Sequence, residues 1–174
     1  MRLDARGRTI HDCKASGPQF AGALREVCDW FSAVPDSVFR TVLPALGEWH
    51  FAPRENHAVA MAFGARLGGR RPAVLMQNSG LGLAVDALLG TFRLYRQGLL
   101  LVVSNRGVLS WEEIQHQDWG EVTLPILDAL SIPRVSLDEE GMDGLSRAAE
   151  RAFADGEIVA LVVERGNIDE EEAG

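Results

Sequence analysis

The sequence predicts an α/β protein, a three-layer α/β/α domain with a mainly parallel sheet. Short apolar runs of strand composition alternate along the chain with stretches whose apolar residues recur at helical spacing, the pattern of a sheet covered by helices. One run, Leu99-Leu-Leu-Val-Val-Ser104, is almost unbroken in its apolarity, as a central strand covered on both faces must be. Residues 72–92 read in succession as buried strand, glycine turn and helix start. In that unit Asn78-Ser-Gly-Leu-Gly82 is the turn, with two glycines free to take positive φ or to let a ligand approach the backbone.

The elements follow in order. Residues 18–32 carry Phe20, Leu24, Val27, Cys28 and Phe31 at helical spacing and predict one amphipathic helix. Pro35 closes it, and Asp36 or Ser37 caps a second helix over residues 38–49. Residues 50–54 are a short extended piece. Residues 55–67 form an alanine-rich helix with Val59, Met61, Ala62 and Phe63 inside, closed by Gly68-Gly69. After the strand–turn–helix unit, which runs to Tyr95, and the apolar strand 99–104, residues 105–117 are a polar loop and 119–130 a helix. Residues 133–137 are a strand, 142–154 a helix with Leu145, Ala148, Ala149, Ala152 and Phe153 inward, and 158–164 the last strand. The folded domain spans residues 17–166, between a charged N-terminal segment, 1–16, and an acidic tail, 167–174, with Asp169-Glu-Glu-Glu172 in solvent.

Composition bounds the function. A chain of 174 residues makes one domain that buries roughly two-thirds of its unfolded surface. The net charge of −8 argues against nucleic acid or an anionic membrane as partner. Residues 1–16 lack the apolar centre of a signal peptide, and no apolar run approaches the roughly 20 residues of a membrane helix. Cys13 and Cys28 are too few for a disulfide framework, which suits reduced, structural cysteines in a cytoplasmic protein.

Residue chemistry alone excludes more than it assigns. The glycine turn has Val85 where a dinucleotide fingerprint needs a small residue, and it lacks the Gly-Lys-Ser/Thr of a P-loop. Ser79 has Gln77 where a nucleophile elbow needs glycine. The single lysine, Lys14, lies in a mobile segment, which argues against Schiff-base chemistry, and no His/Cys/Asp cluster has metal-ligand spacing. His11 and His50 carry no signal.

Read together, the motifs say more. Val34-Pro-Asp-Ser37, Glu55-Asn-His-Ala-Val-Ala, Met76-Gln-Asn-Ser-Gly-Leu-Gly82, Val103-Ser-Asn-Arg-Gly107, Gln115-His-Gln and Leu127-Asp-Ala-Leu-Ser-Ile-Pro133 form an ordered series. From about residue 34 to 163 it resembles the pyrimidine-binding (PYR) domain of thiamine-diphosphate decarboxylases, in the phosphonopyruvate and sulfopyruvate decarboxylase branch. The resemblance implies a parallel sheet between helices. It also implies a separate β subunit, because the chain has no Gly-Asp-Gly segment with a downstream Asn to hold Mg2+ and the diphosphate.

It further implies that Glu55 bonds the aminopyrimidine N1′ and is the catalytic carboxylate. In a low-dielectric pocket a charge-assisted bond of that kind is worth roughly 1.5–3 kcal/mol, and it favours the imino form that takes a proton from the neighbouring ring. Cofactor contacts would come from Pro35, Asn78, Gly80, Leu81 and Gly82. Substrate contacts would come from Ser37 and Gln77, with Arg106 and His116 receiving a phosphonate or sulfonate. His57 would be structural or at an interface, and Trp111 and Trp119 would pack against the partner. Two departures bear on the substrate: Leu83 and Asp86 stand where relatives commonly have asparagines, and Asn105 stands where an aromatic or histidine often precedes the arginine. The expected reaction is decarboxylation of a 3-substituted pyruvate. Phosphonopyruvate to phosphonoacetaldehyde is the first expectation, sulfopyruvate to sulfoacetaldehyde the alternative, and a non-catalytic regulatory subunit a third reading.

Overall fold

The computed structural model describes residues 1–4 and 7–169. The N-terminal segment forms β1 (Arg2–Leu3) and β2 (Thr9–Ile10), paired antiparallel, and then β3 (Ala15–Ser16). Helix α1 (Gly17–Val27) follows directly, with the Ser16 hydroxyl accepting from the Gln19 N–H and the Gln19 side chain accepting from the Ser16 N–H in a capping box. β4 (Trp30–Ala33) leads through a 3₁₀ turn, Ser37–Phe39, to the short α2 (Val42–Ala45) and to β5 (His50–Phe51). Next come α3 (Glu55–Leu67), β6 (Pro72–Gln77), α4 (Asn78–Leu88), which runs on as a π-helical turn over Leu89–Arg93, and β7 (Leu99–Asn105). The chain finishes with α5 (Ile114–Ala129), β8 (Arg134–Ser136), α6 (Leu137–Asp155), β9 (Ile158–Glu164) and β10 (Ile168–Asp169).

Six strands make one all-parallel sheet in the order β5-β4-β6-β7-β9-β8. Because side chains alternate along a strand, Leu100 and Val102 of β7 enter the core under α1, α2 and α6, together with Phe20, Leu24, Phe39 and Leu145. Leu99, Leu101 and Val103 enter the opposite core under α3, α4 and α5, with Val59, Leu81, Leu88, Phe92 and Leu127. This is the predicted three-layer arrangement. The two outer layers differ in what they show to solvent. Met61, Leu83, Leu94, Tyr95, Ile114 and Val122 are exposed on the α3–α5 side, where α6 on the other side exposes Glu139, Glu140, Glu150 and Arg151.

Several expected elements are corrected. The helix predicted over 18–32 ends at Val27, because Cys28 turns extended (φ −127°, ψ 150°) and the chain enters β4. The helix predicted over 38–49 is broken into two short turns and stopped at Gly47, whose φ is +80°. The predicted glycine turn is helix from Asn78 onward, and neither Gly80 nor Gly82 takes a positive φ. Helix α5 starts at Ile114 inside the predicted loop. Lys14 is not in a free segment: its N–H donates to the Asn167 carbonyl, and Asn167 and Ile168 are buried where β10 pairs with β3. Asp169 is thus a half-buried strand residue, while residues 170–174 of the expected tail lie outside the described residues.

Candidate active site

Parallel strands end on one edge, and the motif segments follow the ends of four neighbours there. Residues 34–37 leave β4, Glu55 closes the turn after β5, α4 starts at the end of β6, and residues 106–113 leave β7. Between β4 and β6 the chain departs in opposite senses, into α2 on one face and α4 on the other. That reversal opens a crevice at the carboxyl ends of the strands, the place where open α/β sheets bind ligands.

Glu55 is the first residue of α3, after the extended Arg54 (φ −151°, ψ 155°). Its half-buried side chain lies across the first turn of α4. A Cβ added at Gly80 would stand 2.2 Å from Glu55 Cγ and 2.4 Å from both Cδ and Oε1. Gly80 is therefore glycine for the room it leaves and not for a turn. Among the described residues the Glu55 carboxylate has no hydrogen-bonding or ionic partner. A half-buried carboxylate left without a partner is disposed to accept one from a ligand, and it fits a ring nitrogen carrying a proton.

The rest of the Asn78–Gly82 series serves the scaffold. Asn78 is fully buried, and its Nδ2 lies 3.2 Å from Asn105 Oδ1, 2.8 Å from the Arg106 carbonyl and 2.9 Å from Thr123 Oγ1, while its Oδ1 is buried with no partner. Leu81 is packed in the core under α4, so its side chain is not available to a cofactor. Gly82 receives the Trp119 indole, whose nearest ring carbon would lie 2.7 Å from an added Cβ. Gln77 donates to Ser79 Oγ at 2.9 Å and is half-buried, and Pro35 is exposed.

Arg106 does not fit the expected role of receiving the substrate's acidic group. It is buried, and all three guanidinium nitrogens are engaged: Nε with Glu112 at 2.7 Å, Nη2 with Glu113 at 2.9 Å, and Nη1 with Asp36 at 3.3 Å and Ser37 Oγ at 3.0 Å. Burial opposes its charge, but the Glu112 bond and the Asp36, Glu112 and Glu113 charges raise its pKa further. Three carboxylates around one guanidinium leave no positive surplus for an anion.

The cluster is a clamp between two loops. Asp36 also accepts from the Ser37 N–H and from Ser104 Oγ, fixing the loop after β4. Glu112 accepts from the N–H groups of Gly107 and Leu109, fixing the loop after β7. His116 is mostly buried with Nδ1 3.2 Å from Glu113, and its carbonyl presses on Gly107 (φ +90°). A backbone hydrogen bond and the charges of Arg106, His116 and Arg165 hold Glu113 below the usual carboxylate range, against a smaller cost of burial. Asp36, Ser104 and Glu112 are the partners that sequence reading misses, since nothing in the spacing says which acids an arginine will meet. Trp111 faces the chain's own N-terminal segment, with Nε1 donating to the Thr9 carbonyl at 2.7 Å and Arg8 stacked 3.9 Å from the ring centre.

No family model matches the chain. The sulfopyruvate decarboxylase subunit alpha of Methanococcus maripaludis is 34% identical over 128 residues, covering 70% of this chain and 76% of that protein. The protein of the same name from Methanothermobacter thermautotrophicus is 35% identical over 121 residues, 66% of this chain and 72% of that one. Among solved structures, benzoylformate decarboxylase from Polynucleobacter necessarius superposes with a TM-score of 0.65 at 17% identity, over 92% of this chain and 32% of that chain. The 2-oxoglutarate:ferredoxin oxidoreductase from Magnetococcus marinus superposes with a TM-score of 0.61 at 19% identity, over 86% and 28%. This chain thus has the fold of about a third of those longer polypeptides, and by its identity to the curated relatives it belongs to the sulfopyruvate decarboxylase alpha-subunit family, of the thiamine-diphosphate decarboxylase type that its motifs resemble.

Proposed function

We propose that this chain is the alpha subunit of a decarboxylase that converts sulfopyruvate to sulfoacetaldehyde and CO2, its active site completed by a separate β subunit. The observation that carries the reading is the unpartnered Glu55 carboxylate laid over Gly80 at the strand-order reversal. Thiamine diphosphate, when bound, supplies the nucleophilic carbon and the electron sink. Glu55 hydrogen-bonds the aminopyrimidine N1′, Pro35 and the backbone around Gly80 border the ring, and Ser37 and Gln77 contact the oxo acid. The β subunit holds Mg2+ and the diphosphate. With Arg106 spent on the clamp, the substrate's acidic group needs another cation than Arg106. The exposed apolar residues on α3, α4 and α5 suit burial against that partner.

Sulfopyruvate takes precedence over phosphonopyruvate because the curated relatives carry that substrate in their names. The unpartnered Glu55 favours a catalytic subunit over a regulatory one. The test is CO2 release by the reconstituted complex offered each acid. Release from sulfopyruvate with at least tenfold lower kcat/KM for phosphonopyruvate is the expected result. Preference for phosphonopyruvate overturns the substrate, and CO2 from neither acid overturns the catalytic reading.

A further inference from the structure

Arg106 is buried in the clamp, yet one of its four partners lies at the crevice. Its guanidinium meets Asp36, Glu112, Glu113 and the hydroxyl of Ser37. The Asp36 and Glu112 side chains are buried with it, and Glu113 stands apart at the start of α5. Ser37 is exposed where residues 34–37 leave β4, beside the reversal of chain direction.

Two bonds fix this serine. Its N–H donates to Asp36 Oδ1 at 2.8 Å, and its Oγ accepts from Arg106 Nη1 at 3.0 Å. Asp36 Oδ1 is also 3.3 Å from Arg106 Nη1, so one ion pair holds both the backbone and the hydroxyl of Ser37. A hydroxyl carries one proton and two lone pairs. The guanidinium N–H takes the acceptor side of Oγ, which turns the proton away from Arg106, and among the described residues no acceptor receives that proton. A donor on Oγ also polarises the O–H and strengthens it as a donor in its turn.

We propose that Arg106 is a positioning residue that acts through Ser37: it occupies the acceptor side of the hydroxyl and so presents the O–H to an oxygen of the 2-oxo acid. The role rests on the decarboxylase reading, in which Ser37 contacts the oxo acid. It is not the role of a cation. Three carboxylates outweigh the guanidinium, and what reaches the substrate is a directed dipole. Such a dipole suits a carboxylate, sulfonate or keto oxygen and disfavours a group that must itself donate there.

The test is a double-mutant cycle in the complex reconstituted with a β subunit, with KM and kcat for sulfopyruvate read separately. Arg106→Lys keeps a charge among the carboxylates but lacks the planar fork that reaches Ser37 as well. Ser37→Ala and Arg106→Lys should each raise KM about two- to tenfold, the worth of one neutral hydrogen bond, with kcat little changed. Together they should do no more than either alone, and Ser37→Thr, which keeps the hydroxyl, should stay near the wild type. An equal KM shift for sulfopyruvate and phosphonopyruvate places the contact on the oxygens the two acids share, an unequal one on the sulfonate. Additive single effects mean that the arginine serves the scaffold alone and overturn the proposal, as does an unchanged KM in Ser37→Ala. On the lone chain, nitrogen-15 NMR of the Arg106 guanidinium reads the contact without partner or substrate. Ser37→Ala should move the Nη1 resonance and leave Nε, bonded to Glu112, in place. An unmoved Nη1 overturns the proposal even where Arg106→Lys fails to fold. A wild-type complex that releases no CO2 overturns the decarboxylase reading instead, and calorimetric titration with sulfopyruvate then replaces KM in the same cycle, so the two fail separately.

Discussion

At the scale of residues, Glu55 and Gly80 form one unit. In the proposed complex with a β subunit, Glu55→Ala should lower kcat by roughly 10²–10⁴-fold, the range for a positioned acid or base, with the chain's melting temperature unchanged. Gly80→Ala should reach a similar end differently. Its methyl group would occupy space held by the Glu55 side chain, costing about 1–3 kcal/mol and displacing the carboxylate enough to lose about 100-fold in rate. A full-rate Gly80→Ala complex would mean that the carboxylate is not needed where it lies. Arg106→Leu should destabilise the lone chain by about 3–5 kcal/mol in urea unfolding, because it strands Glu112 and Asp36 as buried, unpaired carboxylates. Cys28 is buried, which pushes its thiol up to about 12 despite the nearby Arg71, so at pH 8 alkylation of the native chain should mark the exposed Cys13 alone.

At the scale of elements, the loop after β7 is built around one glycine. Gly107 has φ +90°, and an added Cβ would lie 1.8 Å from the His116 carbonyl, so Gly107→Ala should cost up to about 3 kcal/mol by denaturant unfolding and loosen the start of α5. Elements with a long, regular signal are legible from the sequence: α3 begins and ends where its alanine-rich pattern and the Gly68-Gly69 pair place it, and β7 and β9 are recognisable from unbroken apolarity. β4 is not. It has four residues, its Ser32 and Ala33 are as buried as Phe31, and Phe31 fits the helical spacing of α1 equally well. The glycines of α4 mislead for another reason. Sequence shows that glycine is needed but not whether for backbone angle or for room, and here Glu55 and Trp119 occupy the room. The place of Glu55 at the start of α3 is legible, and its proposed role comes from its motif, whereas the pairing of Arg106 with Asp36 and Glu112 joins residues up to 70 positions apart and leaves no local trace.

At the scale of the whole molecule, the proposed site uses one edge of the sheet, and the lone chain should show no decarboxylation and little affinity for thiamine diphosphate by calorimetry. Tight binding without a partner would place the entire pocket on this chain. Sheet order bears on how such a chain is made. Among the described residues β8 pairs only with β9, and β9 also completes the pairing of β7, yet it leaves the ribosome after both. Until residues 158–164 emerge, the nascent polypeptide carries an apolar β7 whose free edge has nothing to bind but another chain. A messenger interrupted just before that point would yield not a smaller version of the protein but an aggregate, and the 7 residues of β9 decide between the two.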